Sequence, residues 1–256
     1  MAFTLRGALT WDDGRLARRD VSVARGRVVP CPAGLAVEAG GGVLLPGLVN
    51  GHDHLGFSLL PTLGRPPYRS LYEWADEARA GEAAGAARLA REWPRFDRLL
   101  LGGLRNLLAG VSAVVHHDAP HPAFGAAGLR LFALLRRGRF TRAGFPVRVL
   151  RRYACAHSPG LEPDLRSTWP RDGRPWMIHA AEGRDERCAS EVAGLDQAGL
   201  LDRRTLLVHA LGITPEDVGR IARSGAGVLW CPESNRALYG EGAPVGALLA
   251  AGVRLG

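Results

Sequence analysis

Leu44-Leu45-Pro46-Gly47-Leu48-Val49-Asn50-Gly51-His52-Asp53-His54-Leu55 is an apolar run that ends in two histidines separated by one residue. The run has the pattern of a buried strand. Residues two apart on a strand share a face, so His52 and His54 project together and Asp53 points the other way. Two imidazoles converging from one rigid strand end supply half of a transition-metal site.

Two later segments supply partners. Met177-Ile178-His179-Ala180-Ala181-Glu182-Gly183 places a histidine at a strand end with a carboxylate three residues on. Leu206-Leu207-Val208-His209-Ala210-Leu211-Gly212 places another histidine at the next strand end. A metal ion held by neutral imidazoles lowers the pKa of a bound water to about 7. A carboxylate beside that water can carry its proton to a leaving nitrogen.

The surrounding pattern alternates helix and strand. Helical stretches are expected at 70–91, 95–109, 183–198 and 215–223, the last opened by Thr214 as N-cap and Pro215 at the first helical position. Strand-like runs fall at 111–116, 147–156, 176–180, 205–210 and 225–231. Such alternation argues for a parallel α/β sheet, and histidines at the C-terminal strand ends match the active face of a (β/α)8 barrel. Between the runs at 111–116 and 176–180 two strands are expected. Only 147–156 is convincing, with 128–135 reading equally as strand or helix. The first 46 residues carry short β signals at 3–9, 20–24 and 27–29, with Arg25-Gly26 as the turn, and read as a separate small β layer.

Composition narrows the classes. The chain of 256 residues, 46% hydrophobic and 23% charged, is ordinary for a globular enzyme. No apolar run approaches a membrane span, and the N-terminus lacks the pattern of a signal peptide, so the expectation is a cytoplasmic protein with no membrane partner. The formal charge of +8 comes entirely from arginine, for there is no lysine. The arginines are dispersed, with short clusters at 136–139 and 151–152, and no stripe interleaved with aromatics suggests nucleic acid. Without lysine, no site can use a carbamylated lysine or a Schiff base. The four cysteines (Cys31, Cys155, Cys188, Cys231) have no C-x-x-C spacing and suggest neither a zinc knuckle nor a disulfide framework.

The order and flanks of these residues resemble the amidohydrolase superfamily, in its cytosine deaminase, aminohydrolase and triazine hydrolase branch. The resemblance is carried by 46–55, His179-Ala180-Ala181-Glu182, Val208-His209-Ala210 and Trp230-Cys231-Pro232-Glu233-Ser234-Asn235. It implies a (β/α)8 barrel over 47–256, incomplete at strand 8, with half of a small β-sandwich over 1–46. It implies one divalent metal, zinc first and iron as the alternative, held by His52, His54 and His179. Glu182 is then the proton shuttle, His209 orients the metal-bound hydroxide, and the 231–235 segment shapes the pocket, with Asn235 a candidate substrate contact. His157, which ends the 147–156 run, is expected against substrate from its strand-end place alone. The implied chemistry is hydrolysis of C–N bonds other than linear peptides, deaminating an amino-substituted small-molecule heterocycle. Hydrolysis of a cyclic amide or a C–Cl bond by the same site is the alternative, and a non-catalytic fragment is the rival from another class.

One departure bears on activity. The branch takes a last metal ligand from an aspartate ending the eighth strand, whereas the sequence stops at Ala251-Gly252-Val253-Arg254-Leu255-Gly256. The sequence therefore reads as C-terminally truncated, and little or no turnover is expected of this form. A barrel seam left unpaired is association-prone, which is compatible with a homo-oligomer. Other residues have blander readings. His116-His117-Asp118 and His121 read as a polar loop at the barrel mouth, with pocket-lining residues as the alternative, Trp74 as a core aromatic, and Cys231 as a packed thiol.

Overall fold

The computed structural model describes residues 2–12, 14–60, 64–125 and 145–256, in two compact units, Met1–Leu48 and Val49–Gly256. In the first unit, β1 (Ala2–Asp12) pairs antiparallel with β2 (Arg15–Ala24), and β2 with β3 (Arg27–Val29). On its other edge β1 pairs in parallel with β4 (Leu35–Glu38) and β5 (Val43–Leu44). Arg25 and Gly26 both take positive φ, 51° and 73°, the two-residue turn whose twist matches that of the flanking strands.

The second unit is mixed α/β, and among its described residues the β7–β8 pairing and the pairings that link β9 through β13 are parallel. β6 (Leu48–Asp53), β7 (Val111–His116) and β8 (Arg148–Leu150) form a three-stranded sheet in that order. β9 (Ala154–Ala156), β10 (Trp176–Ala180), β11 (Thr205–His209), β12 (Gly227–Leu229) and β13 (Arg254–Leu255) form a second sheet of five. The expected single run at 147–156 is thus two strands. Its first half pairs with β7 and its second with β10, and Arg151–Tyr153 between them belongs to neither. No ladder joins β8 to β9 or β13 to β6, so the strands of the described residues divide into two sheets and do not close into one barrel. The other candidate strand, 128–135, lies outside the described residues, as does the arginine cluster at 136–139.

Helices flank the strands: α1 (Leu71–Ala78), α2 (Gly81–Glu92), α3 (Arg95–Leu108), α4 (Leu165–Thr168), α5 (Glu186–Gln197), α6 (Pro215–Ser224), α7 (Pro232–Tyr239) and α8 (Val245–Ala250). The stretch read as one helix over 70–91 breaks where Ala80 is extended, at φ −108° and ψ 151°. Thr214 caps α6 as the sequence suggests: its hydroxyl accepts from the Asp217 N–H at 3.2 Å, and Asp217 accepts in return from the Thr214 N–H at 3.0 Å. At the far end Gly225 stops the helix in the left-handed conformation.

All five residues of β10 are buried, the mark of a strand covered on both faces. Trp176, Ile178 and Leu207 from the sheet pack with Val192 and Leu195 of α5, Ile221 of α6 and Leu248 of α8. Each fully buried side chain of this size contributes about 1.5–3 kcal/mol. On the other sheet, α3 lies close against 55–59. A Cβ on Gly102 would come within 2.4 Å of the Leu55 carbonyl oxygen, so glycine sets that separation. Since the strands are parallel, their C-terminal ends gather on one side, and the histidines gather there with them.

Candidate metal centre

His52 and His54 leave the end of β6, His116 ends β7 with His117 next, His157 follows β9, His179 lies near the end of β10, and His209 ends β11. The rings converge. The His52 centroid lies 5.0 Å from His54, 4.7 Å from His179, 4.8 Å from His117 and 5.9 Å from His209. Donor atoms of His52, His179 and His209 all fall within 4.8 Å of one another. His54 Nε2 is 3.4 Å from His179 Nε2.

Geometry alone therefore groups His209 with His52 and His179, whereas the sequence resemblance names His54 as the third ligand. The hydrogen bonds favour His54. Its Nδ1 donates to Asp118 Oδ1 at 3.0 Å, which leaves Nε2 with a free lone pair facing His179. A carboxylate behind an imidazole is the usual support of a ligating histidine. His209 Nδ1 donates to Asn235 Oδ1 at 2.7 Å, and its Nε2 lies 3.3 Å from Glu182 Oε1. Tyr239 OH donates to the same Glu182 oxygen at 2.8 Å.

The electrostatics fit a cation-binding cluster. Burial, and then the neighbouring imidazoles, hold His52 and His179 well below the ordinary histidine pKa. Burial likewise lowers His116 to about 4 and His117 to about 3. Neutral imidazole is the form that binds metal. Asp118 is pushed up by burial, but the His54 hydrogen bond and the surrounding histidines outweigh this and hold its carboxyl below the usual range.

A divalent ion suits this donor set. Among the described atoms, His52 Nδ1, His117 Nδ1, His179 Nδ1 and Glu182 Oε2 are buried without a hydrogen-bond partner. Such orphans are rare in native interiors, and an ion or water among them supplies what they lack. Backbone strain is concentrated at the same place. Ala181, His209 and Ala210 take φ of 52°, 74° and 47°, a conformation that non-glycine residues adopt at a cost of about 1–3 kcal/mol each.

The five residues assigned to metal and proton chemistry, His52, His54, His179, Glu182 and His209, thus lie together. His157 sits at the rim with its side chain 56% exposed, and Glu162 accepts from its backbone N–H at 2.7 Å. Asn235, expected against substrate, is fully buried and spends its oxygen on His209. Asp53 turns away from the histidines and accepts from Asn106 Nδ2 at 2.6 Å and from Asn50 Nδ2 at 3.2 Å. His116 and His117, read as part of a polar loop, are buried strand-end residues, and His117 Nε2 donates to the Ala156 carbonyl at 2.8 Å. Trp74 packs against the Tyr68, Leu211 and Tyr239 cluster, and burial pushes the Cys231 thiol up to about 12, as for an inert packed group. Asp118 and Tyr239 were not assigned roles from sequence. A carboxylate directly after His116-His117 was a usable signal for the first, and Leu238-Tyr239-Gly240 offered none for the second.

No family profile matches the chain. A 5-methylthioadenosine/S-adenosylhomocysteine deaminase of Halobacterium salinarum is 30% identical over 305 residues, covering 99% of this chain and 68% of that protein. The chain belongs to the amidohydrolase superfamily, in its deaminase branch. A deaminase of the same name from Moorella thermoacetica is 29% identical over 98% of this chain. The chain spans 64% of that protein's length, and 58% and 64% of two further relatives of that name. The fold is that of known members. A triazine hydrolase from Arthrobacter aurescens superposes with a TM-score of 0.68 at 17% identity, over all of this chain and 70% of its own. A zinc-bound adenosine deaminase from Xanthomonas campestris gives 0.65 at 20% identity, over 99% of this chain and 67% of its own. Among the described residues, no helix is long and apolar enough to cross a membrane.

Proposed function

We propose that this chain is a metal-dependent hydrolase that deaminates an amino-substituted heterocycle. The observation that carries the reading is the convergence of four imidazoles from three parallel strand ends on one point, with Glu182 buried beside them. We further propose that 47–256 is part of a (β/α)8 hydrolase barrel and 1–46 half of a β-sandwich. His52, His54 and His179 hold a single divalent ion, zinc before iron, by the donor chemistry of neutral imidazole. Held there, the ion would supply a bound water acidified enough to serve as hydroxide near neutral pH.

The rest belongs to the chain's own side chains. Glu182 Oε1 is fixed by Tyr239 OH and faces His209 Nε2, while Oε2 has no partner among the described atoms. Oε2 takes a proton as water oxygen bonds to the ring carbon, and returns it to the amino nitrogen as the C–N bond breaks and ammonia leaves. Asn235 accepts from His209 Nδ1 and thereby fixes the tautomer that turns Nε2 toward Glu182. His157 stands at the rim, where its imidazole can meet the heterocycle.

The deaminase relatives make adenine-bearing compounds the first substrates to try. The test is ammonia release by the zinc-loaded chain from 5-methylthioadenosine, S-adenosylhomocysteine and adenosine, beside Glu182→Gln. Release, even at a low rate, that disappears in the variant supports the reading, and a wild-type rate no higher than the variant's for all three contradicts it. One observation favours a second reading, metal binding without turnover. The donor cluster among the described residues is histidine only, with no carboxylate ligand.

A further inference from the structure

Glu191 is a buried carboxylate, 7% exposed, that the chemistry above does not use. It projects from α5 behind the turn that follows β10. Its Oε2 accepts from the Ala181 N–H at 2.7 Å, and its Oε1 accepts from Tyr72 OH. Ala181 lies between the strand that carries His179 and Glu182, and it is one of the non-glycine residues held at positive φ. A single peptide N–H in a strained turn, bonded to a buried carboxylate, is a fixed point for the side chain that follows.

The anchor continues beyond the turn. Tyr72 OH lies 3.2 Å from Ser158 Oγ and accepts from the Gly160 N–H at 3.2 Å. Arg187 stacks over the Tyr72 ring at 3.5 Å, and its Nη2 donates to the Gly160 carbonyl at 2.8 Å. Ser158 and Gly160 belong to the segment just after His157. One carboxylate on α5 therefore joins the turn that aims Glu182 to the loop that presents His157, with α1 as the bridge. Two backbone bonds hold the same turn from other sides: Gly212 N–H to the Ala181 carbonyl at 2.9 Å, and Leu71 N–H to the Glu182 carbonyl at 2.8 Å.

We propose that Glu191 is a positioning residue that holds Ala181 in its left-handed conformation, so that Glu182 meets the reacting atoms, and that Tyr72 extends the same constraint to the His157 loop. The catalytic half of this inference rests on the deaminase reading, and the conformational half does not. Hydrogen exchange and kinetics on the zinc-loaded chain separate them, using Glu191→Ala, which has no acceptor, and Glu191→Gln, which keeps an oxygen for Ala181 and an amide for Tyr72.

In the wild type the Ala181 amide should exchange as slowly as those of β10. In Glu191→Ala it should exchange at least about tenfold faster, as expected of a lost buried hydrogen bond, while Glu191→Gln stays within about threefold. Turnover should fall about tenfold or more in kcat for Glu191→Ala, with KM and zinc content near wild type, and recover in Glu191→Gln. A fast-exchanging Ala181 amide in the wild type overturns the proposal even if no variant folds. So does Glu191→Ala with wild-type exchange and kcat, or a kcat loss matched by zinc loss in both variants. A wild type that deaminates nothing, yet shows the exchange pattern, refutes the deaminase reading and leaves the conformational role supported.

Discussion

Replacing Asp118 with alanine tests whether His54 is held as a metal ligand. Asp118 Oδ1 accepts from His54 Nδ1 at 3.0 Å, with side chains 28% and 18% exposed. A hydrogen bond to a charged group contributes about 1.5–3 kcal/mol when sheltered, and this partial exposure favours the lower end. About 1.4 kcal/mol corresponds to tenfold in an equilibrium constant, so zinc affinity should weaken about tenfold. The affinity falls because the carboxylate orients the ring and fixes the tautomer that leaves Nε2 free for the ion. Asp118→Asn keeps an acceptor oxygen without the charge and should lose about threefold, between the two. Competition against a chromophoric chelator at fixed pH reads the affinity, and thermal unfolding of the metal-free variants shows that the site, not the fold, has changed. If Asp118→Ala binds zinc as tightly as the wild type, the carboxylate support is not operating. His209 would then replace His54 as third ligand.

Three further outcomes follow from particular contacts. A Cβ on Gly212 would lie 1.8 Å from the Gly183 carbonyl, so Gly212→Ala must displace the Glu182 turn; unfolding should show a loss of about 1–3 kcal/mol, and turnover should fall by about a hundredfold for a shift near 1 Å. Burial raises Glu191 from the ordinary 4.5 to about 7, outweighing the donors Tyr72 and Ala181, with Glu182 adding to the rise and Arg187 opposing it. The folded state then binds a proton that the unfolded chain has released, so this group's contribution is present below pH ~4.5 and lost as pH rises toward ~7; Glu191→Gln should remove about 3 kcal/mol of that slope in denaturant titrations. Chelating the metal should lower the melting temperature, since free zinc at about 100 times its Kd stabilises the folded state by about 2.7 kcal/mol; an unchanged melt on adding zinc to stripped protein contradicts the site.

Much of the site was legible because its residues sit at strand ends, where a two-residue period and an apolar run fix both position and direction. His52, His54, His179 and His209 follow from that rule alone, and Asp53 turns away as the alternation requires. The same rule describes His116, but a histidine pair followed by Asp118 and Pro120 has the pattern of a loop, since polar clusters with proline usually are loops. Tyr239 acts through a tertiary contact from a helix, and nothing local distinguishes it from a core residue; the 230–235 segment marks Asn235, but its bond to His209 is a tertiary fact. Glu191 is harder still: a glutamate in an amphipathic helix reads as solvated, and only the packing of α1 and the turn after β10 shows it buried. In the fold, 147–156 read as one strand because Arg151-Arg152 is compatible with an exposed strand. Which neighbour each half pairs with is a long-range fact that no local pattern carries.

The most direct test of the central claim is zinc-edge X-ray absorption on the stripped and reloaded chain, beside a variant with His52→Ala and His179→Ala together. The account predicts close to one zinc per chain, imidazole scattering in the wild type, and loss of the ion in the double variant. Zinc without imidazole scattering, or zinc retained when both histidines are gone, would contradict it.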